Sequence, residues 1–400
     1  MTNGEWKTVR LSEFCRTGTG GTPSRSKLER YYEGGTIPWV KSGELREAVI
    51  NETEEHVTEV ALRETNVKLV PAGALLLAMY GATVGRLGIL GVEATTNQAV
   101  CHIIPDPKAA EVRFLFHALS NQVANLVARG VGGAQPNISQ GIIKDLKLAL
   151  PPLAEQRRIA EILDQAEALR AKRRAALAEL DSLTQSLFLD LFGDPTSQTQ
   201  TIPIQSLESL LAQPLQNGAY YPKESYTEVG GVEMVHMSDA FYEVVPRGKL
   251  KRVICSESDV KKYALTVNDI LIARRSLTIE GAAKPCLIPK SREPLIFESS
   301  FIRVTPHPDK ITALYLYHYL GNDRVKQKCV QPYITQSTIS GINQSNLERV
   351  PVIVPPLPLQ REFARRVTAV EKLKAAQRVT LAEMDALFAT LQHRAFQGEL

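Results

Sequence analysis

Two short stretches hold groups well suited to gripping the edges of another molecule. Tyr80, Thr83 and Arg86 follow the apolar run "GALLLAM", and Arg274, Arg275 and Ser276 follow "DILIA". A guanidinium at the end of a buried strand is anchored at its base and free at its fork. That geometry suits paired hydrogen bonds to guanine O6 and N7, or to phosphate. Two longer segments mix amide, hydroxyl, aromatic and basic groups. "GGTPSRSKLERYYEGGTIPWVKSGEL" (20–45) supplies Thr22, Ser24, Arg25, Lys41 and Ser42. "LQNGAYYPKESYTEVGGVEMVHMSDA" (215–240) supplies Gln216, Asn217, Tyr220, Tyr221, Lys223, His236 and Ser238. Gln135, Asn137, Gln336 and Ser337 add polar groups in two further loops. Loops are where recognition is usually housed, and such groups reach base edges and phosphates. Any one surface arginine serves equally well in an ordinary ion pair.

Catalytic signatures are missing from the sequence. It contains no GxxxxGK[ST] phosphate loop, HExxH zinc motif or GxSxG elbow. Both Pro-Pro pairs precede leucine, so the Asp/Asn-Pro-Pro-aromatic tetrapeptide of an N6-adenine methyltransferase is absent too. "TGTGGTP" (17–23) follows no clear buried strand and opens no apolar helix, which favours a flexible loop over a phosphate cradle. The five cysteines are scattered without ligand spacing, and the seven histidines have no evident Ser or Asp partner. Reduced thiols, no metal and a cytoplasmic location are the expectation. The most apolar stretch, 70–92, contains Arg86, a proline and five glycines, and reads as two buried strands with a turn rather than a membrane span.

The elements that must position these groups come in duplicate. Sliding the chain by 204 residues aligns 151–192 with 355–396, with 17 identities over 42 positions and no gap. The match weakens upstream, where "ISQGIIKDLKLALPP" parallels "INQSNLERVPVIVPP". The repeat unit is therefore a variable head of about 150 residues followed by a constant helix. The net charge of +4 is mild and spread along the chain, so any nucleic acid must be held by local patches.

Each helix begins after Pro-Pro, because a residue before proline avoids the α region. The first stops at Gly193-Asp194-Pro195, and the second frays at Phe396-Gln397-Gly398. Ile159, Ile162, Ala166, Leu169, Arg173, Ala176, Leu180, Leu183 and Leu187 step 3-4-3-4 along the first. In the second the series is Phe363, Arg366 or Val367, Val370, Leu373, Gln377, Thr380, Met384, Leu387 and Leu391. Narrow matching seams predict that the helices pack on each other, antiparallel, with Arg173 and Gln377 as a central polar layer. A helix of roughly 38 residues would be a rigid spacer about 57 Å long.

The whole pattern resembles the DNA-specificity subunit of type I restriction–modification systems. Its strongest carriers are "PPLAEQRRIAEILD" with "LFGDP", and "PPLPLQREFARRV" with "FQGEL". "TNQAV" (96–100), "GGAQPNIS" (132–139) and "TQSTISGINQSNL" (335–347) accompany them. The resemblance implies an α+β chain of two globular α/β target-recognition domains separated by two long helices packed as an antiparallel coiled coil, with pseudo-two-fold symmetry. The expected divisions are a first recognition domain (1–150), a central helix (151–195), a second recognition domain (196–354) and a C-terminal helix (355–400). The implied function is non-catalytic: each head reads one half of a split, asymmetric site in double-stranded DNA. Two methyltransferase subunits and the restriction subunits are the implied partners, with no membrane. S-adenosylmethionine, ATP and Mg belong to those partners and no cofactor to this chain. Leu359, Phe363 and Arg366 stand opposite Glu155, Ile159 and Ile162, so partner docking need not be symmetric. Composition alone leaves an alternative open, a duplicated coiled-coil adaptor without DNA specificity.

Overall fold

The computed structural model describes residues 6–46, 49–130, 137–197, 202–239, 244–336 and 338–400. Four helices organise it: α1 (Val112–Ala128), α2 (Leu153–Phe192), α3 (Ala313–Gly321) and α4 (Leu357–Gln397). The chain divides into two compact units, residues 1–174 with 379–400 and residues 175–378. Each unit thus takes about half of each long helix. None of the described helices is long and apolar enough to cross a membrane.

In unit 1 the central sheet runs Cys15–Thr19, Val100–Pro105, Leu75–Ala78, Leu87–Leu90, Val49–Ile50. Its first four strands are antiparallel, with Cys101 opposite Thr19 and Leu77. Leu75–Ala78 and Leu87–Leu90 are buried throughout, as a continuous apolar run with a glycine turn requires. Helix α1 closes one face with Phe114, Leu115 and Leu119, and the edge strands Lys7–Arg10 and Lys147–Leu150 pair beside it. Unit 2 repeats this order with a strongly diverged sequence: Gln216–Asn217, Phe301–Val304, Ile270–Ala273, Pro285–Leu287. Helix α3 takes the part of α1, and Ile204–Ser206 pairs with Pro351–Ile353 as Lys7–Arg10 does with Lys147–Leu150. Continuous apolar runs in the central strands preserve the topology while the surface residues diverge.

"TGTGGTP" is packed rather than flexible. A Cβ on Gly18 would fall 2.3 Å from His102 Nε2, and one on Gly20 only 1.9 Å from the Thr96 carbonyl oxygen. Gly218 holds the matching place in unit 2, 2.2 Å from the Phe297 carbonyl by the same construction. The glycines are there because one backbone passes directly over another.

Within each unit the two long helices run antiparallel. In unit 1 Ile159, Leu163 and Ala395 share the core, and Arg170 reaches Asp385 at 2.7 Å. In unit 2 Phe188 and Phe192 meet Phe363 edge-on at 5.7 and 5.3 Å, and Lys374 reaches Asp181 at 2.7 Å. Full burial of a ring such as Phe363 contributes about 1.5–3 kcal/mol. Gly193, at φ +70°, ends α2 with its N–H on the Leu189 carbonyl at 2.8 Å.

The seam is in a different frame from the leucine series. Leu169, Leu183, Leu373 and Leu387 are exposed by 56, 41, 54 and 58 %. Their neighbours Arg170, Thr184, Lys374 and Phe388 turn inward instead. Ile159, Phe363 and Val370 are buried as expected, while Ile162, Arg173, Leu180, Leu187, Gln377, Met384 and Leu391 are half-buried. The cause is pairing across the helices. Arg170 bonds Glu167 and Asp385 and lies 4.3 Å over the Phe388 ring; Lys374 bonds Glu371 at 2.8 Å and Asp181. Arg170 with Lys374, Glu167 with Glu371 and Asp181 with Asp385 are each 204 residues apart, so the same clasp is built twice. Long cations bury their stems as well as leucine does and add a directed bond, so they set the frame.

Candidate nucleic-acid interface

The two turns lie at equivalent places in the two units although their arginines do not: by backbone pairing Arg274 matches Met79, and Arg86 matches Lys284. In unit 2 the strand Ile270–Ala273 runs straight into Arg274, and Arg275–Ser276 pairs antiparallel with Ser340–Gly341. The Ile342 N–H donates to the Arg274 carbonyl at 3.0 Å. This draws the distant "TQSTISGIN" segment onto the arginines. Arg274, Arg275, Thr335, Ile339 and Asn343 line a groove of about 260 Å³, with Gln336 exposed next to Thr335. Gly341 permits the approach, since a Cβ there would lie 2.9 Å from the Arg274 carbonyl oxygen. Ser276 Oγ is turned inward, accepting the Thr278 N–H at 3.2 Å.

Unit 1 repeats the device. The Ile138 N–H donates to the Met79 carbonyl at 2.7 Å, which sets Asn137 beside the turn of Tyr80, Thr83 and Arg86. Gly81 and Gly85 shape that turn at φ +79° and +86°. Tyr80 is half-buried, which pushes its phenol above the usual value, and Arg86 is exposed. Among the described residues no carboxylate pairs with Arg86, Arg274 or Arg275. A free guanidinium held by a rigid backbone is ready for an external acceptor. Gln135 and Ser337 lie outside the described residues.

The second group of candidates divides differently. Arg25 sits 4.4 Å over the Tyr32 ring and 5.3 Å over Trp39, and pairs with Glu55 at 2.7 Å. Lys41 Nζ bonds Glu54 at 2.8 Å and Glu55 at 3.0 Å. Hydrogen bonds from Arg25 and Lys41 hold the Glu55 carboxyl down at about 2. Both cations therefore spend their charge within the unit. Thr22 Oγ1 donates to Gln98, Ser24 Oγ lies 2.8 Å from Ser26 Oγ, and Ser42 opens a single 3-10 turn.

In unit 2 Gln216 accepts from Arg303, and Asn217 Oδ1 is buried without a partner among the described residues. Tyr220 is 83 % exposed, whereas burial beside Asp259 and Cys255 raises the Tyr221 phenol. His236 is buried, with Nε2 2.8 Å from the Tyr226 hydroxyl and Nδ1 2.9 Å from the Met234 carbonyl. With both ring nitrogens engaged, it supports the turn and does not face a ligand. Ser238 is exposed near Asp239. Lys223 shares a trench with Lys249, Lys251, Tyr226 and Glu228. Lys249 and Lys251 are exposed and, among the described residues, pair with no carboxylate; sequence reading passed over them, although the two lysines of "RGKLK" (247–251) were the available signal.

His117, which showed no partner in the sequence, lies 2.7 Å from Asp164, a carboxylate also gripped by Arg113 at 2.7 and 2.9 Å. Burial depresses the imidazole; Asp164 is held below its usual value by Arg113 and His117 despite its burial. This triad ties α1 to α2. Among the described residues no group of three or more His, Cys, Asp or Glu is placed to hold a metal ion.

Comparison with known proteins gives a consistent result. The family model "Type I restriction modification DNA specificity domain" matches twice, over residues 3–179 and 208–383. The EcoR124I/EcoR124II specificity subunit of Escherichia coli is 29 % identical over 170 residues, 41 % of either protein. The MjaIX specificity subunit of Methanocaldococcus jannaschii is 21 % identical over 391 residues, 90 % of this chain and 85 % of the relative. A chain from a structural study of complex assembly and conformational transition in the type I restriction–modification system superposes with a TM-score of 0.60. It is 18 % identical and covers 99 % of this chain and 98 % of its own length.

Proposed function

Because the chain belongs to the type I restriction–modification DNA specificity family, we propose that it is the non-catalytic subunit that selects the DNA sequence. Each unit reads one half of a split site in double-stranded DNA, and the paired helices set the spacer and seat two methyltransferase subunits. Those partners bring S-adenosylmethionine, and restriction subunits bring ATP and Mg. The observation that carries this reading is a turn repeated in both units that presents arginines paired with no carboxylate among the described residues. Arg274 and Arg275 follow the buried strand Ile270–Ala273 in unit 2, Arg86 leads into the buried strand Leu87–Leu90 in unit 1, and each turn is crossed by the segment that leads into the next long helix. A duplicated frame with diverged tips is what reading two different half-sites requires.

The test is adenine-methylation mapping with the methyltransferase partner present. Arg275→Ala should weaken binding of the full site roughly 5- to 150-fold, the worth of one bidentate arginine–base contact, and relax one half of the motif only. Arg86→Ala should relax the other half. Methylation that keeps both halves in both variants would sink the assignment, and an unchanged salt dependence of DNA binding would favour a protein adaptor instead.

A further inference from the structure

Unit 2 contains a cavity of about 250 Å³ between α2, α3 and α4. Phe188, Leu287, Leu314 and Val367 form apolar walls, and Thr184, His318 and Lys374 face it as well. Thr184 is buried, yet its Oγ1 has no hydrogen-bond partner among the described residues. Such a group normally bonds the carbonyl one turn back or a ligand.

The duplication tells what this space is for. Thr184 corresponds to Phe388, Lys374 to Arg170, and His318 on α3 to His117 on α1. In unit 1 the Phe388 ring fills the place, 4.3 Å from the Arg170 guanidinium and 6.4 Å from the His117 ring. In unit 2 a cation, now the Lys374 ammonium, and the imidazole remain, and threonine stands where the ring would originate. The frame around an aromatic ring is therefore kept while the ring is not supplied by the chain.

We propose that this cavity is a receptor for one uncharged aromatic ring bearing a hydroxyl, a phenol or a tyrosyl side chain, entering from outside the unit. The ring takes the place that Phe388 fills in unit 1, with its face toward the Lys374 ammonium and its hydroxyl toward the buried Thr184 Oγ1. Asp181 and Glu371 also line the cavity and already neutralise Lys374, so an anion finds its cation engaged there and an uncharged ligand is favoured.

Titration of the full chain with 4-methylphenol, followed by saturation-transfer NMR and calorimetry, tests this. Saturable binding is expected with a dissociation constant of roughly 0.1–10 mM, the range for a ligand of this size. Thr184→Phe, which supplies the ring in cis, should weaken it at least about tenfold, and Thr184→Leu should act alike if the first variant fails to fold. Equal binding of N-acetyl-L-tyrosinamide would identify the natural occupant as a side chain of a protein partner, and binding of 4-methylphenol alone a free aromatic compound. No saturable binding, undiminished binding to the variants, or equal binding of cyclohexanol would overturn the proposal.

Discussion

The glutamine of each Pro-Pro-helix unit offers a sharp test of how head and helix are joined. Gln156 and Gln360 are fully buried. Gln156 Oε1 accepts the Glu111 N–H at 2.8 Å, and its Nε2 donates to the Ala109 carbonyl at 3.0 Å and the Pro151 carbonyl at 2.8 Å. Gln360 repeats the pattern with the Thr312 N–H at 2.8 Å and the Lys310 and Pro355 carbonyls at 3.1 and 2.8 Å. One side chain thus closes three backbone groups that have no other place to go. Gln156→Leu keeps the volume but strands all three. At about 1–3 kcal/mol for each buried unpaired group, less what the added apolar burial returns, the loss is on the order of 3–6 kcal/mol. That is a large share of the stability of an ordinary domain. Hydrogen exchange should show residues 109–118 and 150–160 losing protection in Gln156→Leu, with 310–318 unchanged; Gln360→Leu should do the reverse. A loss under about 1 kcal/mol by urea unfolding, or equal deprotection of both units, would refute the claim that these bonds lock each head to its own helix.

Acid should weaken unit 2 through His318. Burial, with Lys374 nearby, lowers this imidazole from 6.5 to about 4. The folded state therefore keeps the neutral ring. The stability it protects is complete above about pH 6.5 and lost as pH falls toward 4, up to about 3 kcal/mol. His318→Gln should flatten that slope in urea midpoints measured between pH 7 and 4.5; an unchanged slope would assign it to other groups. Gly20→Ala and Gly218→Ala should each cost about 1–3 kcal/mol or more, because their new Cβ atoms collide with carbonyl oxygens. Gly43→Ala, with nothing within 4 Å, is the matched control and should change the melting temperature little.

Much of the frame was legible in the residues because it rests on short-range rules. Pro-Pro starts, the Gly193 stop, the apolar runs at 75–78 and 270–273 and the 204-residue repeat need no knowledge of distant contacts. From them the two heads, the two long helices and the placing of Arg86, Arg274 and Arg275 at turns beside buried strands follow. Tertiary structure alone decided which groups remain available. Arg25 and Lys41 looked as free as Arg275, yet Glu54 and Glu55 claim them from across the fold. His236 looked like a contact residue, and its two nitrogens close a turn. The leucine series pointed to one helical face, and the cation clasps of Arg170 and Lys374 turned the helices to the adjacent one. Local pattern sets which elements form, but free charge and inward face depend on partners far away in the chain, which only the folded packing brings within bonding distance.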